Sequence, residues 1–284
     1  MENTKHILKL GNNSKFNEAN IYRLSELKPA GTKLILEPDT DLIELIKLTL
    51  FDLILKQVLV VKKELKKSHP RDPHFREYTI VETGKNFAKY EPCTFENYFL
   101  SRIDEDSYFI LKSYLRVIYK EIPSEYRYKK EIVEGVKLED LFKSNVMLSI
   151  LSLLKTNQKG EELRKDITEY LTDVDATIGG LIKREPQKAL EIILFLKGNI
   201  FLLKNLKFES LERLKIDTSI TGGVDNEHSD WFWMDYLYYS DGLDSDFMSE
   251  VSDVFDTIDD YFDFDNGVDW GGGDDDFDYG FDFD

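Results

Sequence analysis

Two imidazoles and a carboxylate fall within six positions in His69-Pro70-Arg71-Asp72-Pro73-His74, a residue set that can ligate zinc or another divalent ion. The two prolines stiffen this stretch into an extended form that holds His69, Asp72 and His74 apart, and Arg71 and Arg76 add repelling charge. The sequence therefore predicts a surface loop and no metal. The only cysteine, Cys93, follows Pro92 at the start of an expected helix, where the dipole favours a thiolate, but Glu91 and Glu96 oppose ionisation. With four histidines and no carboxylate pair isolated between apolar flanks, no catalytic residue is assigned and no cofactor is expected. Gly179-Gly180 lacks the strand and lysine of a phosphate-binding loop and reads as a helix kink or a close helix crossing. Asp263-Phe264-Asp265-Asn266-Gly267 has the acids of a calcium loop. A glycine at the sixth position would place Phe262 first, however, and no glutamate closes the loop.

The elements that must position these residues belong to a chain of 284, with 42% hydrophobic and 32% charged residues, enough for one or two packed domains. Residues 41–61 carry Glu44, Lys47, Asp52 and Lys56, and residues 189–203 carry Glu191 and Lys197, so neither apolar stretch is expected to cross a bilayer. The lone cysteine and an N-terminus, Met1-Glu2-Asn3-Thr4-Lys5-His6, that leads into no apolar signal core set the expectation of a cytoplasmic protein.

Short apolar runs at 6–10 and 32–37 read as strands. Pro38-Asp39-Thr40-Asp41 then offers N-cap chemistry to a helix ending at Lys56. Its apolar residues Leu42, Ile43, Ile46, Leu50, Leu53 and Ile54 mark a core-facing stripe, with Glu44, Lys47 and Asp52 toward the other face. Residues 57–65 and 76–82, rich in Val, Ile and Tyr, read as a β-hairpin joined by a turn-rich linker at 66–74. Further helices are expected near 94–103, 105–122, 138–155, 161–183, 187–203 and 208–215, punctuated by Pro123, Gly135, Gly160 and Pro186. The least polar run, 192–203, is the expected central core helix. The fold class is mainly α (α+β).

A helix running straight into a hairpin resembles the second half of a winged-helix domain, with residues 39–56 as its last helix and 57–83 as its wing. The resemblance rests on the order of elements and covers about a quarter of the body. It implies a small winged-helix-like α/β region at 1–90, and the helical periodicity that follows predicts a helical bundle at 91–216. In DNA-binding members the wing touches phosphates, which would make Lys62, Lys63, Lys66, Lys67, Arg71 and Arg76 candidate polyanion contacts. The helix face offers Glu44 and Asp52 instead, and carboxylates are repelled by a phosphate backbone. Winged-helix modules also dock proteins, which suits this region better.

Charge separates the body from residues 217–284. That tail has 22 Asp and Glu and no Lys or Arg, which leaves 33 acidic and all 37 basic residues in 1–216, so the body is about +4 and the tail −22. Thr221-Gly222-Gly223 forms a joint, and residues 231–239 then put eight large apolar or aromatic residues in nine positions. Phe247, Val251, Val254, Phe255, Ile258 and Phe262 recur at helical spacing among acids, predicting an amphipathic helix over 244–262. Residues 262–284 are almost all Asp, Phe, Tyr, Trp and Gly, and predict a largely disordered segment.

The expected partner-binding residues are Trp231, Phe232, Trp233, Tyr236, Tyr238, Phe247, Phe255, Phe262, Trp270, Phe281 and Phe283, with carboxylates meeting a basic protein partner. Acidic tips with a terminal aromatic resemble the tails of bacterial single-strand DNA-binding proteins, although this chain closes on Phe281-Asp282-Phe283-Asp284. The sequence thus reads as a non-enzymatic interaction or adaptor protein. The alternatives are a nucleic-acid-binding body autoinhibited by a nucleic-acid-mimicking tail, and an enzyme with a site of scattered carboxylates.

Overall fold

The computed structural model describes residues 16–206, apart from 68–70, 72 and 106. In chain order it contains α1 (Glu18–Glu26), α2 (Pro29–Leu36), α3 (Leu42–Leu55), β1 (Leu59–Lys67), β2 (Phe75–Thr83), α4 (Asn97–Leu100), β3 (Tyr108–Ile110), α5 (Leu111–Glu121), α6 (Glu125–Gly135), α7 (Val146–Ile150), α8 (Gln158–Arg184) and α9 (Pro186–Leu196). The protein is mainly helical, with one small antiparallel sheet ordered β1-β2-β3. The expected strand at 6–10, the helix at 208–215 and the whole of 217–284 lie outside the described residues.

Five helices start at a short polar side chain that accepts a main-chain N–H from the first turn, which removes one of the donors a helix start leaves unpaired. These are Asn17, Asp41, Ser124, Asn145 and Asn157. Asp41 fulfils the cap expected before α3, accepting from the Glu44 N–H at 2.8 Å. Helix α3 stops where Gln57 takes a left-handed φ of 51° and Val58 donates back to the Leu53 carbonyl at 2.9 Å. The chain then enters β1 directly. Leu59 pairs with Thr83 and Lys67 with Phe75, and β3 extends the sheet through Ile80 and Ile110. Leu59, Val61, Ile80 and Val81 are buried at the root, whereas Leu65 and Phe75 are exposed near the tip, so the hairpin projects from the core. Gly84 closes its base, because a Cβ there would lie 2.1 Å from the Gln57 carbonyl oxygen.

Several expected elements take another form. Residues 32–36 lie in α2, with Glu37 as its C-cap, rather than in a strand: Pro29 occupies the first turn and the Thr32 N–H donates to the Lys28 carbonyl at 3.0 Å. Thr and Ile mislead in so short a helix, because burial against α3, α6 and α8 outweighs their strand preference. Residues 94–103 form a 3-10 turn at Thr94–Glu96 and the single turn of α4. Residues 105–122 divide, since Tyr108–Ile110 joins the sheet before α5 begins. Residues 138–155 make no continuous helix: a bridge between Phe142 and Thr156 folds the intervening chain into a finger that carries α7.

The central helix is α3, with ten of its fourteen residues buried, not 192–203. That run breaks at Lys197, whose φ is 53°, and α9 gives way to a 3-10 turn at Lys197–Leu202. Asp52, expected on an outer face, is 3% exposed. Gly179 and Gly180 lie within α8, which runs through them unbroken; a Cβ at Gly179 would meet nothing, and at Gly180 only the Arg184 guanidinium, so no helix crosses closely there. Helices α1 and α6 have no counterpart in the sequence reading. In α6 the buried stripe of Tyr128, Lys129, Ile132 and Val133 is interleaved with charge. One apolar core runs from Ile21 to Leu206 and draws on nearly every element.

Candidate functional site

Charge is buried where the start of α2, the end of α3 and the segment before α4 meet. The Lys28 ammonium donates to Glu96 Oε1 at 2.5 Å and to the Tyr90 hydroxyl oxygen at 2.8 Å, and the Tyr90 hydroxyl donates to the same carboxylate oxygen at 2.9 Å. Glu96 Oε2 accepts the Cys93 main-chain N–H at 2.7 Å. The Glu96 side chain is fully buried, so these three donors replace its water. Beside it, Lys56 pairs with Asp52 at 2.5 Å. Lys28 and Lys56 lie 5.3 and 5.8 Å from the centre of the Tyr90 ring. The remaining Asp52 oxygen faces Gly198, where a Cβ would come within 2.6 Å of it.

This knot contains residue types found in catalytic centres, but its environment favours the protonated forms of Lys28, Tyr90 and Cys93. Burial acts to lower the Lys28 pKa and is outweighed by Glu96, Asp52 and Tyr90, which keep the ammonium above its ordinary range. Burial raises the Tyr90 phenol, against the opposing pull of Lys28, and raises the Cys93 thiol in the same way. A nucleophilic thiolate or a neutral amine needs the reverse shift. The Cys93 thiol instead donates to the Gly135 carbonyl at 3.4 Å and ties this segment to α6. The arrangement clamps three chain segments together.

The hairpin holds the candidate polyanion contacts, and the pleat divides them between its two faces. Lys62 pairs with Glu64 at 2.7 Å and Glu82 at 2.5 Å, and Lys66 pairs with Glu64 at 3.2 Å while its ammonium sits 3.6 Å from the Tyr108 ring centre. Lys63 and Lys67 alternate onto the opposite face, where Lys67 lies over Phe75 at 5.2 Å. Lys63, Arg71, His74 and Arg76 have partners too. The helix that a winged-helix reader would place in a groove, α3, is buried along most of its length. His69 and Asp72 lie outside the described residues, and among those described no group of three metal-ligating side chains comes together. No helix among the described residues is long and apolar enough to cross a membrane. The partner-binding aromatic residues from Trp231 to Phe283 also lie outside the described residues.

A second unusual region was hidden in the sequence by its resemblance to core. Within the finger the Lys143 N–H donates to the Lys155 carbonyl at 2.8 Å, and Ser152 takes a left-handed φ of 54° to turn the chain back. Met147, Ile150, Leu151 and Leu153 are exposed, up to 76% for Ile150. Lys143 and Lys155, both exposed, flank this apolar stretch, and no acid occurs from 143 to 155. Comparison with protein-family models, curated proteins and solved structures finds no match to this chain.

Proposed function

We propose that this is a non-enzymatic interaction protein, an adaptor whose helical body displays an acidic-aromatic C-terminal segment to a basic protein partner. The observation that carries this reading is the segregation of charge: 22 acids and no base in residues 217–284, against a body of about +4. Trp231, Trp233, Tyr236 and Phe255 supply the large anchors that dominate binding energy at interfaces, and the carboxylates around them supply steering toward Lys and Arg. Support comes from the body as well. The Lys28 amine and the Cys93 thiol in its buried knot are both shifted toward their protonated forms, away from nucleophilic reactivity. Lys62 and Lys66 of the hairpin are already matched by Glu64 and Glu82, which favours a protein partner over nucleic acid. We place the protein in the cytoplasm, where its single thiol would remain reduced.

The test is affinity capture from nuclease-treated source-cell lysate by the full chain and by its Trp231→Ala/Trp233→Ala/Tyr236→Ala variant. The reading expects a basic protein retained by the first and lost by the second. Capture that nuclease abolishes, or that the substitutions leave intact, would overturn it.

A further inference from the structure

We propose that the apolar finger at residues 143–155 is a seat for the chain's own acidic-aromatic segment at residues 244–262. Met147, Ile150, Leu151 and Leu153 gather on one short excursion of chain, whereas the other exposed large hydrophobic residues among those described, Tyr22, Leu65 and Phe75, lie on α1 and the hairpin. Clustered apolar exposure of this kind marks a surface that is covered in use.

Two features select the occupant. The first is complementarity. The finger has exposed lysines at both ends and no acid, while residues 244–262 have seven acids, no base, and Phe247, Val251, Val254, Phe255, Ile258 and Phe262 at helical spacing. Its apolar stripe matches the exposed side chains, and its carboxylates match Lys143 and Lys155. The second is tethering. The described chain ends at Leu206, close to α8 through the bond from the Asn205 N–H to Asp175 at 2.7 Å. The 37 residues from 207 to 243 reach up to about 120 Å when extended, more than enough to return to the finger. A segment so tethered has a local concentration on the order of millimolar, which fills even a weak seat ahead of a dilute free ligand. The seated form withholds part of the tail from a partner. Loss of the seat would leave capture by Trp231, Trp233 and Tyr236 intact or increase it, so the two readings fail separately.

The test is zero-length carbodiimide cross-linking of the dilute full-length protein, using a mixture of natural-isotope and fully 15N-labelled chains and mass-spectrometric identification. The expected product is an amide between Lys143 or Lys155 and an acid within 244–260, joined within one chain. A Met147→Ser/Ile150→Ser/Leu151→Ser variant keeps both lysines. Its yield should fall about ten-fold, the equivalent of ~1.4 kcal/mol of lost apolar contact. A Phe247→Ser/Phe255→Ser/Phe262→Ser variant leaves the finger untouched and should lose the links equally. Absence of links from these two lysines, survival of the links in either variant, or links mainly between light and heavy chains would overturn the proposal, the last by making a second copy the occupant.

Discussion

The Lys28–Glu96 knot and the finger at 143–155 invert the usual distribution of polarity: one buries charge, the other exposes hydrocarbon. The knot resolves its anomaly internally. Glu96 is matched by Lys28, Tyr90 and the Cys93 N–H, and Asp52 by Lys56, so desolvation is offset by partners the chain supplies. The finger exposes Met147, Ile150 and Leu151 at its tip, and among the described residues only Leu154 and its bridged base tie it to the core. The anomaly matched within the body is assigned to stability, and the one left open is the surface proposed for interaction.

That contrast breaks if the knot proves dispensable. Glu96→Ala leaves a buried ammonium without its counter-ion and should cost about 3–5 kcal/mol in denaturant unfolding; a cost below ~1 kcal/mol would make the knot incidental. The same partners give a pH signature. Lys28, Tyr90, Tyr114, Tyr128 and Tyr170 all have pKa values raised in the folded protein, so the native state retains protons that the unfolded chain releases from about pH 10 upward. Their contribution is complete below that pH and falls as pH rises through it. Denaturation midpoints measured between pH 8 and 11 should decline at the alkaline end, and a flat profile would contradict these environments. Gly198→Ala forces a methyl against the Asp52 carboxylate and Pro29, and should destabilise by about 1–3 kcal/mol in the same assay. The smallest effect is expected at the finger. Serine at Met147, Ile150 or Leu151 should change stability by no more than about 0.5 kcal/mol each, because these side chains lose little contact with water on folding. A large cost would move the finger into the structural class.

What could be read from the sequence follows from how local each signal is. Helix α3 was legible because Asp41 and an apolar stripe lie within one stretch, and the hairpin because its two strands flank a turn-rich linker. Helix α2 was not, since the tertiary burial that makes it helical comes from α3, α6 and α8. The knot was invisible: Lys28 and Glu96 are 68 positions apart, and nothing near either residue points to the other. Cys93 and Glu96 were noticed for their proximity, and Glu96 does help to raise the Cys93 thiol, but the main-chain bond that also makes Glu96 a cap needs the fold. The finger failed in the opposite way. A run such as Val146-Met147-Leu148 has the composition of core, and composition does not distinguish a side chain facing protein from one facing water.

Helix α8 has a mechanical consequence. Its first residue follows the cap at the finger's base, and Asp175, seventeen residues along, holds Asn205 just before the chain leaves the described body. At 1.5 Å per residue the two points are about 25 Å apart along one rod. The helix therefore serves as a ruler: the finger and the point where the chain departs cannot drift toward each other, and any excursion between them must span a fixed baseline.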